Sequence, residues 1–105
     1  MAEGLFMALM QPPKELEDDF NRVYENEHLP ALAKAPGVRS AKRYKLESVR
    51  EGDDLPKYLA IYELDSLDVL QSEEWQAGAN SPEWMSSIRD QCDFRIVSTW
   101  KPLED

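Results

Sequence analysis

Apolar and polar positions alternate along this chain in two different rhythms, and the switches between them mark its elements. Residues 4–11, GLFMALMQ, are apolar at nearly every position and stop at Pro12-Pro13. A run this short, apolar in both alternating sets, predicts a strand covered on both faces. Leu5, Met7 and Leu9 then point to one side, and Phe6, Ala8 and Met10 to the other. From Lys14 the period lengthens: Leu16, Phe20, Val23 and Tyr24 recur as one face of a helix, with Glu15, Asp18, Asp19 and Asn21 outward. Carried forward, that wheel puts Glu27 on the apolar stripe and His28 at its edge. Pro30 then predicts a kink or a restart, because its ring clashes with the carbonyl four residues back and disfavours a helical Leu29. Pro30 suits the first position of a new turn, PALAK, and Gly37 permits the positive φ of a helix exit.

The second half repeats the alternation. VRSAKRYKLES, residues 38–48, reads as a strand with one strongly polar face, and 49–56 as a charged loop. KYLAIYEL, residues 57–64, is again apolar on both sides apart from Glu63. Asp65 or Ser66 is placed to cap LDVLQSEEWQAG, and Ser81-Pro82-Glu83 starts a further short helix, PEWMSSIRDQ. DFRIVSTWKPL, residues 93–103, closes as a strand. The order βαββαβ is the split βαβ, or ferredoxin-like, arrangement, an α+β sandwich of a four-stranded antiparallel sheet with helices on one face. In it the first and third strands are central and the second and fourth are edges, matching the two apolar and the two charged strands here. Helices cover one face only, so the other would expose a contiguous apolar surface that monomers seldom carry. A homodimer, sheet against sheet, is therefore expected.

Composition narrows the function classes. At 105 residues, 42% hydrophobic and 31% charged, one folded domain over 1–105 is expected. A net charge of −9 disfavours nucleic acid and anionic membranes as partners. The basic run RSAKRYK, residues 39–45, is read as a charged edge strand that resists aggregation. No apolar run approaches the ~20 residues of a membrane span. The opening residues lack the positive flank of a secretory signal, so a cytoplasmic location is expected. One cysteine, Cys92, and one histidine, His28, exclude an intrachain disulfide and a Cys/His zinc site within one chain. Cys92 is expected as a small buried hydrophobe.

Two stretches, YENEHLPALAKAPGVRSAKRY and SEEWQAGANSPEWMSSIRDQCDF, resemble the dimeric α/β-barrel superfamily, and within it the EthD-like proteins. In these the first helix ends in an aromatic, a polar pair, Glu-His and Pro, followed by a Pro-Gly turn into the second strand. The second stretch is similar to the family's second helix, its Ser-Pro-Glu restart and the approach to the last strand. The resemblance implies a sheet-to-sheet dimer forming an α/β barrel, with a pocket between each sheet and its helices or lining loops. The superfamily spans cofactor-free monooxygenases and cyclases, muconolactone isomerases, haem-binding and haem-degrading enzymes, and EthD itself, which accompanies an ether-degrading oxidase system. Membership names a fold and a pocket rather than a reaction.

His28 heads the candidate site. An ordinary pKa of about 6.5 suits it to acid/base work near neutrality. Glu27 is its candidate partner, or itself a working carboxylate with a pKa raised by burial. The structural alternative has His28 satisfying free carbonyls at the broken helix end. Tyr24, Tyr44, Tyr62 and Trp100 are the candidate substrate-binding rings; Trp75 and Trp84 are expected to pack the second helical region onto the sheet. Glu63, isolated on a central strand, is expected to pair with Arg39, Arg43 or Arg95, as an ion pair or as a clamp for a substrate carboxylate. No cofactor or metal is expected; a haem ligated by His28 is disfavoured, because the motifs of the haem-binding members are not evident. The expected function is that of an EthD-like small-molecule enzyme or accessory protein of a degradative or biosynthetic pathway. It would use cofactor-free acid/base chemistry (isomerisation, cyclisation or oxygenation) on an aromatic or polyketide-like compound. The alternative is a non-catalytic ligand-binding or stress-associated homodimer in which His28 is structural.

Overall fold

The strand pattern is realised as expected: in a computed structural model describing residues 3–103, all four strands form one antiparallel sheet in the order β2-β3-β1-β4. They are β1 (Gly4–Gln11), with its expected bounds, and β2 (Val38–Lys45), β3 (Tyr58–Leu64) and β4 (Phe94–Trp100), each trimmed to its paired core. The helices are α1 (Glu17–Val23), α2 (Leu29–Ala33) and α3 (Glu73–Ala79), joined by short 3₁₀ and π turns. The second helical region is divided in two. Ser66 Oγ accepts the N–H of Asp68 at one start, and Ser72 Oγ accepts that of Trp75 at the next.

Register sorts the sheet into two unlike faces. On the helix side Phe6, Ala8 and Met10 oppose Tyr62, Ala60 and Tyr58, and helices seal most of this layer. Phe20, Val23, Leu32, Trp84 and Ile88 descend onto it and are almost fully buried. On the other side lie Leu5, Met7 and Leu9 with Leu59 and Ile61, flanked by Tyr44 on β2 and by Ile96 and Trp100 on β4. Among the described residues only the connection between β2 and β3 reaches that second face, with Leu46, Leu55 and Pro56 beside Leu9, Tyr44 and Leu59; no helix covers it. The two-layer body measures 41 × 37 × 17 Å, its thin dimension one sheet plus one helix layer.

Of the kink or restart expected at Pro30, the restart is what forms: α2 begins at Leu29 with Pro30 in its first turn. Val23, Tyr24, His28 and Leu29 all keep right-handed helical angles, and the path from α1 into α2 widens by one π turn over Tyr24–His28. Leu29 N–H donates to the carbonyl of Tyr24, five residues back. A single wide turn absorbs the bond that a proline cannot make, without a break in the helical path. A matching π turn spans Trp84–Ile88, where Arg89 N–H reaches the carbonyl of Trp84. The two wide turns pack together over the sheet.

Glycine is required at two places. Gly37 has φ +95° at the turn into β2, as its position after Pro36 predicts. Gly78 lets α3 lie directly on α2: a Cβ there would stand 2.9 Å from both the carbonyl carbon and oxygen of Ala31. Helix propensity alone favours Ala at position 78 by about 1 kcal/mol. Backbone overlap outweighs it, so Gly78→Ala is expected to destabilise by about 1–3 kcal/mol. A thermal melt reads this as a lowered Tm; an unchanged or raised Tm would show that α2 and α3 separate without cost.

Candidate functional site

The two wide turns meet at a cluster of rings. His28 comes from the first and Trp84 from the second, and their rings stack with centroids 4.1 Å apart and planes 17° apart. Tyr24, one turn before His28, meets both edge-on, at 5.0 Å from His28 and 5.1 Å from Trp84. The widened turn sets this geometry by placing residues 24 and 28 over the same patch of sheet. His28 is only 5% exposed, and its Nδ1 lies 3.3 Å from Ser81 Oγ. Ser81 thus supplies a partner for the buried imidazole beyond its expected role at a helix start.

Glu27 turns away from His28 and serves its stacking partner. Its Oε1 accepts the N–H of Trp84 at 2.9 Å, and its Oε2 that of Glu83 at 3.2 Å. The carboxylate occupies the start of the helical turn, where free N–H groups need an acceptor. The Glu-His pair therefore grips Trp84 twice, Glu27 by the backbone and His28 by the ring face.

Behind this cluster Tyr24 and Tyr62 share a hydrogen bond between their hydroxyls, 3.0 Å apart. Burial pushes the Tyr24 phenol up to about 12 and the Tyr62 phenol higher still, the latter aided by its tyrosine neighbour. Both stay neutral at physiological pH. The Arg43 guanidinium sits over the Tyr24 ring at 4.6 Å and is bonded to Asn21 and Glu25.

A cavity of about 50 Å³ opens beside these residues, between the helices and the sheet. Phe6, Trp75, Leu32 and Trp84 supply apolar walls, Tyr24 and His28 the neutral polar groups, and Arg95 and Val97 its border on β4. The helices leave β4 uncovered here, and Val97 is 43% exposed although it lies on the helix side of the sheet.

The structure brings His28, Tyr24 and Tyr62 together and separates the remaining expected residues from them. Tyr44 and Trp100 lie on the opposite, open face, 48% and 54% exposed. Trp75 and Trp84 pack onto the sheet as expected and also wall the cavity. Tyr44 and Tyr62 lie on adjacent strands, but Tyr62 opposes Ala41 and Tyr44 opposes Leu59, which puts them on different faces. Glu63 makes none of the expected ion pairs. It is exposed on the open face and accepts a hydrogen bond from Ser40 Oγ at 2.6 Å. Arg39 pairs with Asp65 and Arg43 with Glu25, while Arg95 opposes Met10 on the helix side, away from Glu63. Cys92 is half-buried against the core, and burial pushes its thiol up. No helix among the described residues is long and apolar enough to cross a membrane.

The sheet order and the helix-side cavity define a ferredoxin-like α+β fold. The chain is similar in structure to an EthD family protein from Bacillus halodurans C-125, at 20% identity and TM-score 0.67, over 91% of this chain and 96% of that one. It is similar also to a dimeric ferredoxin-like protein from Jannaschia sp. CCS1, at 12% identity and TM-score 0.69, over 94% and 98%. A variant of SnoaB, a cofactor-independent oxygenase from Streptomyces nogalater, matches at 16% identity and TM-score 0.64, over 100% and 97%. No family model matches the chain, and no curated protein does. The EthD-like similarity is thus one of fold, over nearly the whole length.

Burial, followed by the positive charge of Arg95, lowers the His28 pKa to about 3; the Gly78 carbonyl opposes the shift. Unfolded, the same imidazole titrates near 6.5. Between about 3 and 6.5 the unfolded chain holds the extra proton, so stability falls as the pH is lowered through that window and is restored above it. The loss is on the order of 1.4 kcal/mol per pH unit within the window. Replacing His28 by Phe removes this slope, with the carboxylates common to both proteins. The difference in urea midpoint between wild type and His28→Phe should therefore change steadily from pH 6.5 to 4.5; a constant difference would place the imidazole in solvent.

Proposed function

We propose that this chain is an EthD-like small-molecule protein that binds an apolar or aromatic compound between its helices and sheet, and acts on it without a bound cofactor. The carrying observation is a neutral imidazole on the wall of an apolar cavity, stacked on Trp84 and backed by the Tyr24–Tyr62 pair. Such a site holds a flat ring by its walls and offers neutral hydrogen-bonding groups to a polar edge. Proton transfer in isomerisation, cyclisation or oxygenation of an aromatic or polyketide-like compound needs little more than that. His28 is the acid/base group in this reading, acting from its neutral form. Glu27 is its positioning partner through Trp84, Tyr24 lines the substrate space, and Tyr62 supports Tyr24. The SnoaB resemblance in fold is compatible with chemistry of this kind. The protein works in the cytoplasm, in a degradative or biosynthetic pathway.

The depressed basicity of His28 favours one rival, a non-catalytic ligand-binding homodimer in which the imidazole serves as a packed, hydrogen-bonded wall. Products formed from a panel of polyhydroxylated aromatics, followed by mass, separate the two. The enzymatic reading expects a product whose rate drops at least a hundredfold in His28→Ala. Full turnover in the variant, at unchanged fold, would leave His28 without a chemical role.

The functional unit is a homodimer, sheet to sheet, with each open face covering the other to make an α/β barrel. Its support is the apolar strip of Leu5, Met7, Leu9, Leu59 and Ile61, together with the dimeric state of the Jannaschia protein of similar fold. Tyr44 and Trp100 then serve a pocket from the partner-facing side, or pack the interface. Light scattering after size exclusion is expected to give twice the 12.1 kDa chain mass at micromolar concentration, and Ile61→Lys to return it to that mass. A clean monomer in the wild type would sink the dimer.

A further inference from the structure

We infer that the helix-side cavity takes an apolar molecule bearing one anionic oxygen group, and that Arg95 is the residue that meets its charge. The inference rests on the reading of this cavity as a ligand site, and it names the chemical class of the ligand. Arg95 alone among the residues bordering the cavity carries a formal charge. The rest of the lining is aromatic, aliphatic or, at Tyr24 and His28, polar and neutral.

The pairing of arginines across the molecule sharpens the point. The chain has 21 acidic residues against 12 basic ones, so a carboxylate partner is seldom far away. Arg22 is bonded to Glu83, Arg39 to Asp65, Arg43 to Glu25 and Arg89 to Asp90. Arg50, exposed on the charged loop before β3, and Arg95 make no hydrogen bond or ion pair with any described residue, but of the two only Arg95 borders the cavity, its register opposite Met10 turning it to that side. The acidic neighbour expected for it, Glu63, is on the other face and already bonded to Ser40.

Size forces a ligand towards this residue. The enclosed space of about 50 Å³ is well below the roughly 150 Å³ of a cavity that accepts benzene. A ring-sized molecule must therefore lie partly in the enclosed space, against Trp84 and His28, and partly over the uncovered strip of β4. That strip is where Arg95 and Val97 stand. Guanidinium presents a planar fork of donors that matches a carboxylate in two parallel hydrogen bonds, and it is strongest next to a low-dielectric wall. An apolar body with a charged end fits this division; a neutral hydrocarbon would leave the cation unmet.

The experiment uses 2-naphthoate and its neutral counterpart 2-naphthamide as probes. Binding to the purified protein is titrated by calorimetry, and its place is read from the indole N–H shift of Trp84 by NMR. Wild type is expected to bind the carboxylate at least tenfold more tightly than the amide, both moving the Trp84 signal. Arg95→Gln, a change at an exposed position, should weaken the carboxylate about tenfold and leave the amide alone. Lys34→Gln, an exposed charge at the end of α2, should change neither. Equal affinities for the two probes, or a carboxylate affinity indifferent to Arg95, overturn the anionic ligand while the cavity stands. Failure of both probes to shift Trp84 in the wild type removes the cavity as a ligand site, and this inference falls with it.

Discussion

The grip of the Glu-His pair on Trp84 is the constraint around which the helix layer is organised. Glu27 accepts two backbone N–H groups at the start of the second wide turn, and His28 stacks on the indole that follows. The two helical regions lie more than fifty residues apart in sequence, and this contact fixes one against the other across the sheet. An acceptor at an unsatisfied helix start and a ring pair in the interior are individually modest. Jointly they set the height and tilt of Trp84, and with them the width of the gap that opens towards β4.

Electrostatics in that layer follow a consistent division. Groups facing the interior are held neutral: His28 loses its proton to burial, and the phenols of Tyr24 and Tyr62 keep theirs for the same reason. Cations are placed at the border, Arg43 over the rings at one end of the layer and Arg95 beside the cavity at the other. Among the described residues the acidic groups other than Glu17, Glu27 and Glu83, which are half-buried and hydrogen-bonded, are exposed, where solvent screens them. An interior that is apolar and hydrogen-bonding without being charged binds by shape and by polar edges, and it leaves any charge recognition to the rim.

The sheet serves the two faces unequally. Its helix side is closed except along β4, and its other side presents a strip of aliphatic residues to whatever covers it. The alternation of side chains along a strand means that one register builds both surfaces at once. A substitution on β4 at an odd or even position therefore acts on different functions.

Much of the fold was legible in the chain. Alternation and its loss marked four strands and their centrality, because a strand covered on both faces has no polar set. Serine caps and glycine exits located helix ends at Ser66 and Gly37, since they reflect local backbone needs, while the second cap at Ser72, inside what reads as one helix, was missed. The region of the candidate site was legible too, as the lone histidine two residues before a proline. Its partners were not. Glu27 and His28 are adjacent in sequence but point to different tasks, since a one-residue step on a helix turns a side chain by about 100°. Tyr44 and Tyr62 sit on neighbouring strands but face opposite ways, because a bulge between Val38 and Ser40 sets the parity of β2 against β3. The restart at Pro30 was legible, but the π turn over Tyr24–His28 that carries the chain into it was not, since it depends on the packed layer keeping the helix on its path. What the sequence by itself determined was the set of elements and the side each hides, which local periodicity encodes. Only the tertiary structure decided which rings meet, which arginines find a carboxylate and where the gap lies, because these depend on register and on contacts between residues far apart along the chain.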